Sequence, residues 1–150
     1  MARYVTTIDS PRSRDDVFAY LSDFSNAAEW DPGVVAAERL GGEGPVATGT
    51  SFRLVARAMG RDTPLTYRVI AIDPPASVTF RAESNVLVSL DTITFAEREG
   101  GGTRVRYDAD LRLKGPLRLA DPALRLVFGR IGDRARDGLR RTLDGVVAAS

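Results

Sequence analysis

The stretch TRVRYDADLRL, Thr103 to Leu113, alternates without a break. Val105, Tyr107, Ala109, Leu111 and Leu113 fall on one side of an extended chain; Arg104, Arg106, Asp108, Asp110 and Arg112 fall on the other. Successive strand residues point to opposite faces, so the segment predicts a strand with one wet face and one covered face. Such a strand needs neighbours and a cover, and the sequence holds both. Further strands are expected at Arg3–Asp9, Gly33–Leu40, Thr50–Ala58, Leu65–Ile72, Ser77–Glu83 and Val86–Glu97. From Gly33 onward they are separated by the turn-forming clusters GGEGP, MGRD, DPP, SN and EGGG. Connections this short join antiparallel neighbours, which predicts a meander.

The cover comes from the C-terminal segment. Asp121 and Pro122 make an N-cap and first-position pair. Beyond them Leu124, Val127, Phe128, Ile131, Ala135, Leu139, Leu143 and Val146 mark one helical face. A helix from Pro122 to about Val147 would run roughly 40 Å, enough to cross a curved sheet. Between the first two strands, SRDDVFAYLSDF reads as a short helix with Ser13 as its N-cap and Asp15 and Asp16 in the first turn. SNAAEW then adds one more turn of helix, which Pro32 stops.

The chain has 150 residues, and its patterning contains no linker or repeat, so one domain over residues 1–150 is expected. With 21 basic and 20 acidic residues, it has no net field to attract nucleic acid or an anionic membrane. Cysteine and histidine are both missing, which removes thiolate nucleophiles, Cys- and His-based metal sites and the Ser-His-Asp arrangement. No cofactor is expected. No apolar run is long enough to span a bilayer, and the opening MARYVTTIDS does not read as a signal peptide. A cytoplasmic protein is the expectation, and nothing in the patterning specifies an oligomeric state.

The order of elements resembles the START-like, or helix-grip, superfamily, and within it the polyketide cyclase/dehydrase and lipid-transport group of small bacterial proteins. The residues that carry the resemblance are IDSPRSRDDVFAYLSDFSNAAEWDPGV (Ile8–Val34), YRVIAIDPP (Tyr67–Pro75), DTITFAEREGGGTRVRYDADLRLKGPLRL (Asp91–Leu119) and the amphipathic last helix. The resemblance implies an α+β fold in which a seven-stranded curved antiparallel sheet wraps a long C-terminal helix, with two short helices after the first strand. It also implies a cavity between sheet and helix. Members of the superfamily include cyclases, aromatases, lipid and hormone binders and chaperone partners, so the scaffold does not name one chemistry.

The strand parities then nominate residues for that cavity. In NVLVSLDTITF, Ile93 and Phe95 facing inward would bring Asp91, Ser89 and Leu87 to the same face. An inward carboxylate needs a partner or stays protonated, and Tyr107, Tyr67 or an arginine could serve. The alternatives are a bulge that turns Asp91 outward, or a purely structural hydrogen bond. Tyr67 and Tyr107 sit on inward parities beside Val69 and Ala109, as core phenols or as groups aimed at a ligand. Phe52, Leu54, Phe80 and Met59 read as apolar wall or core, and Phe128 and Gly132 lie on or beside the inward stripe of the last helix. Trp30, the only tryptophan, either plugs the end of the core or lines the cavity, and Asp31 reads as a brace of the turn. The helix glycines Gly129, Gly132, Gly138 and Gly145 either leave volume for a cavity or permit close packing. The arginines of that helix read as a solvated face.

Two functions are therefore expected. One is a module that binds a hydrophobic small molecule such as a polyketide, lipid or aromatic metabolite. The other is a polyketide cyclase or dehydrase using Asp91, Tyr67 and Tyr107, with Arg53 or Arg57 as polarising groups. Binding of a partner protein through the surface is a third.

Overall fold

A computed structural model of the chain describes residues 2–58 and 60–148, the side chains of residues 120 and 121 aside. Its strands are β1 (Ala2–Ser10), β2 (Val34–Leu40), β3 (Ser51–Ala58), β4 (Arg61–Asp73), β5 (Ser77–Glu83), β6 (Leu87–Glu97), β7 (Thr103–Leu113) and β8 (Val146–Val147). They form one sheet in the order β2-β3-β4-β5-β6-β7-β1-β8. β2 to β7 are the expected meander. β1 pairs antiparallel with β7, from Ala2 opposite Leu111 to Ser10 opposite Thr103. The chain therefore crosses from β1 to the far edge of the sheet through α1 (Arg14–Ser22), a 3-10 turn (Phe24–Asn26) and α2 (Ala27–Trp30).

The expected boundaries lie within one residue of the observed strands, except in β4. There the β3–β4 hairpin closes tightly, with Ala58 opposite Arg61, so β4 starts well before Leu65. The wet face of the sheet is laced by cross-strand ion pairs, among them Arg3 to Asp108 at 2.6 Å and Arg104 to Asp9 at 2.7 Å. Ser13 caps α1 by accepting from the Asp16 N–H, as its position predicted.

Two expectations need correction. The last helix, α3 (Asp121–Thr142), stops short of Val147. Asp144 takes a left-handed conformation, with φ of 53°. Its N–H donates to the Arg141 carbonyl and that of Gly145 to the Arg140 carbonyl, which is a Schellman stop. The chain reverses there, and Val146 and Val147 add a short eighth strand beside Ile8 and Asp9 in place of more helix. The sheet accordingly has eight strands, one more than expected, and Val146 is exposed.

The core fills one end of the space inside the sheet. Phe24, from the 3-10 turn, stacks on Phe80 with ring centroids 3.7 Å apart and contacts Phe52 at 6.3 Å. Phe18 of α1 meets Phe95 edge-on at 5.2 Å. α3 makes its closest approaches to β1 and α2. Glycines allow this. A β-carbon on Gly132 would enter the Tyr4 ring, and one on Gly138 would collide with the Trp30 carbonyl oxygen. One on Gly145 would sit 2.7 Å from the Asp9 carbonyl oxygen. At these three sites close packing is the operative reading. Gly129 has nothing within 4 Å of such an atom.

The two kinds of helical glycine predict opposite mutational effects. Gly138→Ala should destabilise the protein by roughly 2 kcal/mol through overpacking against backbone. Gly129→Ala should stabilise it by up to about 1 kcal/mol, because helix propensity is all that changes. Urea unfolding midpoints of the two variants check both signs.

Candidate functional site

Between the inner face of the sheet and α3 lies a solvent-open cavity of about 270 Å³. Much of its wall is apolar: Val34, Leu54 and Leu65 from β2–β4, with Phe128, Ile131 and Ala135 from α3. One patch is polar, and strand register explains how it assembles. In β6 the period of two brings Ser89 and Asp91 inward beside Ile93 and Phe95, and β6 pairs with both neighbours without a register shift. Asp91 is therefore not turned out by a bulge, and it is only 8% exposed.

Tyr107 OH donates to Asp91 Oδ2 at 2.6 Å, and Ser89 Oγ donates to Asp91 Oδ1 at 3.3 Å. Tyr67 OH donates to Ser89 Oγ at 3.1 Å. That last bond passes over a whole strand. Ala82 of β5 lies opposite Tyr67 on one side and Ser89 on the other, and its small side chain leaves the path clear. Ala109, directly opposite Asp91, likewise leaves the carboxyl facing open space.

Burial pushes the Asp91 carboxyl up to about 6, against the pull of the Tyr107 and Ser89 hydrogen bonds. Burial also raises the Tyr107 and Tyr67 phenols well above their ordinary range, with Asp91 adding to both. The phenols therefore remain donors across the physiological range, while the carboxyl changes charge near pH 6. Asp31 is a second cavity carboxyl. It braces the turn after α2 by accepting from the Gly33 N–H at 2.8 Å, and burial raises it to about 6 as well. Trp30 meets Tyr107 edge-on at 5.6 Å, and its buried Nε1–H has no acceptor among the described residues. Among those residues no group of acidic, histidine or cysteine side chains could hold a metal ion, and no helix is long and apolar enough to cross a membrane.

The family model described as polyketide cyclase/dehydrase and lipid transport matches residues 1–144. The chain belongs to that family. Solved structures with the same fold include a START superfamily protein of Mycobacterium smegmatis, 14% identical with a TM-score of 0.78, covering 96% of this chain and 98% of that one. A protein of Thermus thermophilus is 21% identical with a TM-score of 0.74, covering 95% of each chain. The Zhui aromatase/cyclase of a Streptomyces species is 17% identical with a TM-score of 0.69, covering 93% of this chain and 94% of that one. A search of the curated proteins finds no match. At these identities the likeness shows the fold alone.

In this member of the polyketide cyclase/dehydrase family, Trp30, Leu54, Tyr67, Ser89, Asp91, Tyr107, Phe128 and Gly132 all border the cavity. Phe52, Val69 and Phe80 do not: all three are fully buried in the core, and Phe24 packs on the two phenylalanine rings. Arg57 is at the rim with its guanidinium held by Asp62, whereas Arg53 is exposed. Met59 lies outside the described residues. The sequence reading passed over Tyr4 and Thr6, which alternation with inward Ile8 in β1 would have exposed. It also treated Asp31 only as a brace. That carboxyl is buried by the fold of the turn against α3, which no local pattern records.

Asp91 supplies a pH test. Folded, it keeps its proton to about pH 6; unfolded, it releases it near about 3.9. Between those values the folded state binds more protons, so this group's contribution falls as pH rises through the window and the loss is complete above it. The carboxylates held low by arginines, such as Asp9 and Asp108, act in the opposite sense at lower pH. Asp91→Asn should therefore gain about 2 kcal/mol on the native chain between pH 4 and pH 7 in urea titrations. An unchanged difference across that range would refute the assignment.

Proposed function

We propose that this chain is a cytoplasmic module that holds a hydrophobic small molecule, of polyketide, lipid or aromatic type, in the cavity between the sheet and α3. The observation that carries this reading is an open cavity with a largely apolar wall and a hydrogen-bonded polar patch, Tyr67–Ser89–Asp91–Tyr107. The lipid-transport description of the family supports the reading too. Native mass spectrometry of gently purified protein should find a bound small molecule. Ala135→Trp, which fills the cavity from α3, should abolish it. Repeated absence from the native chain would count against the proposal.

The second reading is cyclase or dehydrase chemistry, favoured by the convergence of Asp91 and Tyr107 on an open cavity. Ionised Asp91 would take a proton from a carbon between two ketones, and the resulting enolate carbon would attack a second carbonyl of the folded chain. The new alkoxide would then be protonated, and loss of water would follow. These proton movements need no cofactor. With a poly-β-ketone substrate, Asp91→Asn should lower kcat by about 10²–10⁴-fold. Tyr107→Phe removes a bond that lowers the Asp91 pKa, so it should move the rising limb of the pH–rate profile to higher pH. Activity that is indifferent to both changes would rule this reading out.

A further inference from the structure

Beside the cavity, and sharing part of its wall, lies a second open space, a vestibule of about 530 Å³. Pro32 and Gly33 wall it on one side and Ala58 and Gly60 on another, while Val127, Arg130, Ile131 and Arg134 of α3 form the third. Gly33, Arg57, Ala58 and Ile131 border both spaces, so the two adjoin. The vestibule lining contains three arginines, Arg57, Arg130 and Arg134, and no acidic residue.

The three differ in their state. Arg57 is already held by Asp62 through two bonds, at 2.7 and 3.0 Å. Arg136, on the cavity side of α3, is neutralised by Asp133 and Asp137. Arg130 and Arg134 have no ion-pair or hydrogen-bond partner among the described residues. They stand one helical turn apart, a spacing at which like charges repel. The cavity itself carries two carboxyls, Asp91, which is buried, and Asp31, which is half-buried next to Pro32 and Gly33 of the vestibule wall. The two spaces together thus set carboxyl and phenol groups in the cavity and two exposed guanidinium groups, without a protein partner among the described residues, in the vestibule.

We infer that the ligand is amphipathic and anionic: its apolar body fills the cavity while a carboxylate, sulfonate or phosphate rests between Arg130 and Arg134. Planar guanidinium groups bind such oxyanions in pairs of parallel hydrogen bonds, and an anion between them cancels their mutual repulsion. The inference rests on the binding reading above and names the class of ligand that reading leaves open.

Two matched fluorescent probes test it, anilinonaphthalene sulfonate and the neutral N-phenylnaphthylamine, which share an aromatic body and differ by one sulfonate. The native chain should bind the sulfonate about tenfold more tightly at low salt. That ratio should shrink towards one as salt is raised, because the contact is at a solvent-open mouth. In Arg130→Gln/Arg134→Gln the ratio should fall to about one even at low salt. Equal affinity for the two probes in the native chain would overturn the inference, and so would a double variant that keeps the preference. The salt titration uses unmutated protein, so it decides the matter even if the variant folds poorly. If neither probe binds, the cavity reading itself fails and the inference falls with it; binding of both with equal strength sinks the inference alone.

Discussion

A β-carbon on Gly138 and the carbonyl oxygen of Trp30 would occupy the same space. The same exclusion operates between Gly132 and the Tyr4 ring, and between Gly145 and the Asp9 carbonyl. Together these contacts seat α3 against β1 and α2, at one margin of the concave sheet. A helix with larger residues there would be pushed away from that margin. With α3 held at the side, the middle of the sheet keeps a gap that no side chain fills, and the gap is the cavity. Protein interiors are otherwise packed to crystal density, so an open volume of this size needs such a cause. The small residues of α3 make the cavity indirectly, by fixing where the helix rests.

Polar groups on the floor of that gap are affordable because they satisfy one another. Asp91 accepts from Tyr107 and Ser89, and Ser89 accepts from Tyr67. The chain of bonds spans four strands, and it depends on Ala82 and Ala109 as much as on the groups that bond. Burial, more than any neighbouring charge, brings the Asp91 carboxyl near the pH at which it can both hold and release a proton. Asp31 reaches a similar state by another route, as part of a turn packed under α3. Trp30 joins the two regions: its backbone touches the helix clamp, and its ring touches Tyr107.

Much of the fold was legible because strands announce themselves locally. Alternation in β7 and the turn clusters between hairpins placed six strands, and the 3.6-residue stripe placed the covering helix. The same parity argument carried Asp91, Ser89, Tyr67 and Tyr107 to one face. It could not separate Phe52, Val69 and Phe80 from residues beside the cavity, since both groups share an inward parity along the strands. Which of them is covered depends on Phe24, a residue of a short turn that packs across the sheet from a distance. The end of α3 was misjudged for a related reason. Val146 continues the apolar stripe, but the left-handed turn at Asp144 stops the helix, and Gly145 lets the chain that follows lie against β1, which is far away in sequence. The arginines of α3 looked like an evenly solvated face, and only the approach of the β3–β4 turn distinguishes Arg130 and Arg134.

The pairing of β1 with β7 has a consequence in time. Ala2 must wait for Leu111 before it finds its partner, and α3 follows the whole sheet in the chain. During synthesis the hairpins β2 to β7 can form in succession with their apolar face uncovered, since the element that shelters it emerges last. Such a long-range closure is slow compared with hairpin formation. A small apolar molecule present at that stage would meet an open trough before it met a narrow mouth. The pocket therefore takes its final shape only when α3 docks, and until then its apolar lining stays open along the length of the trough.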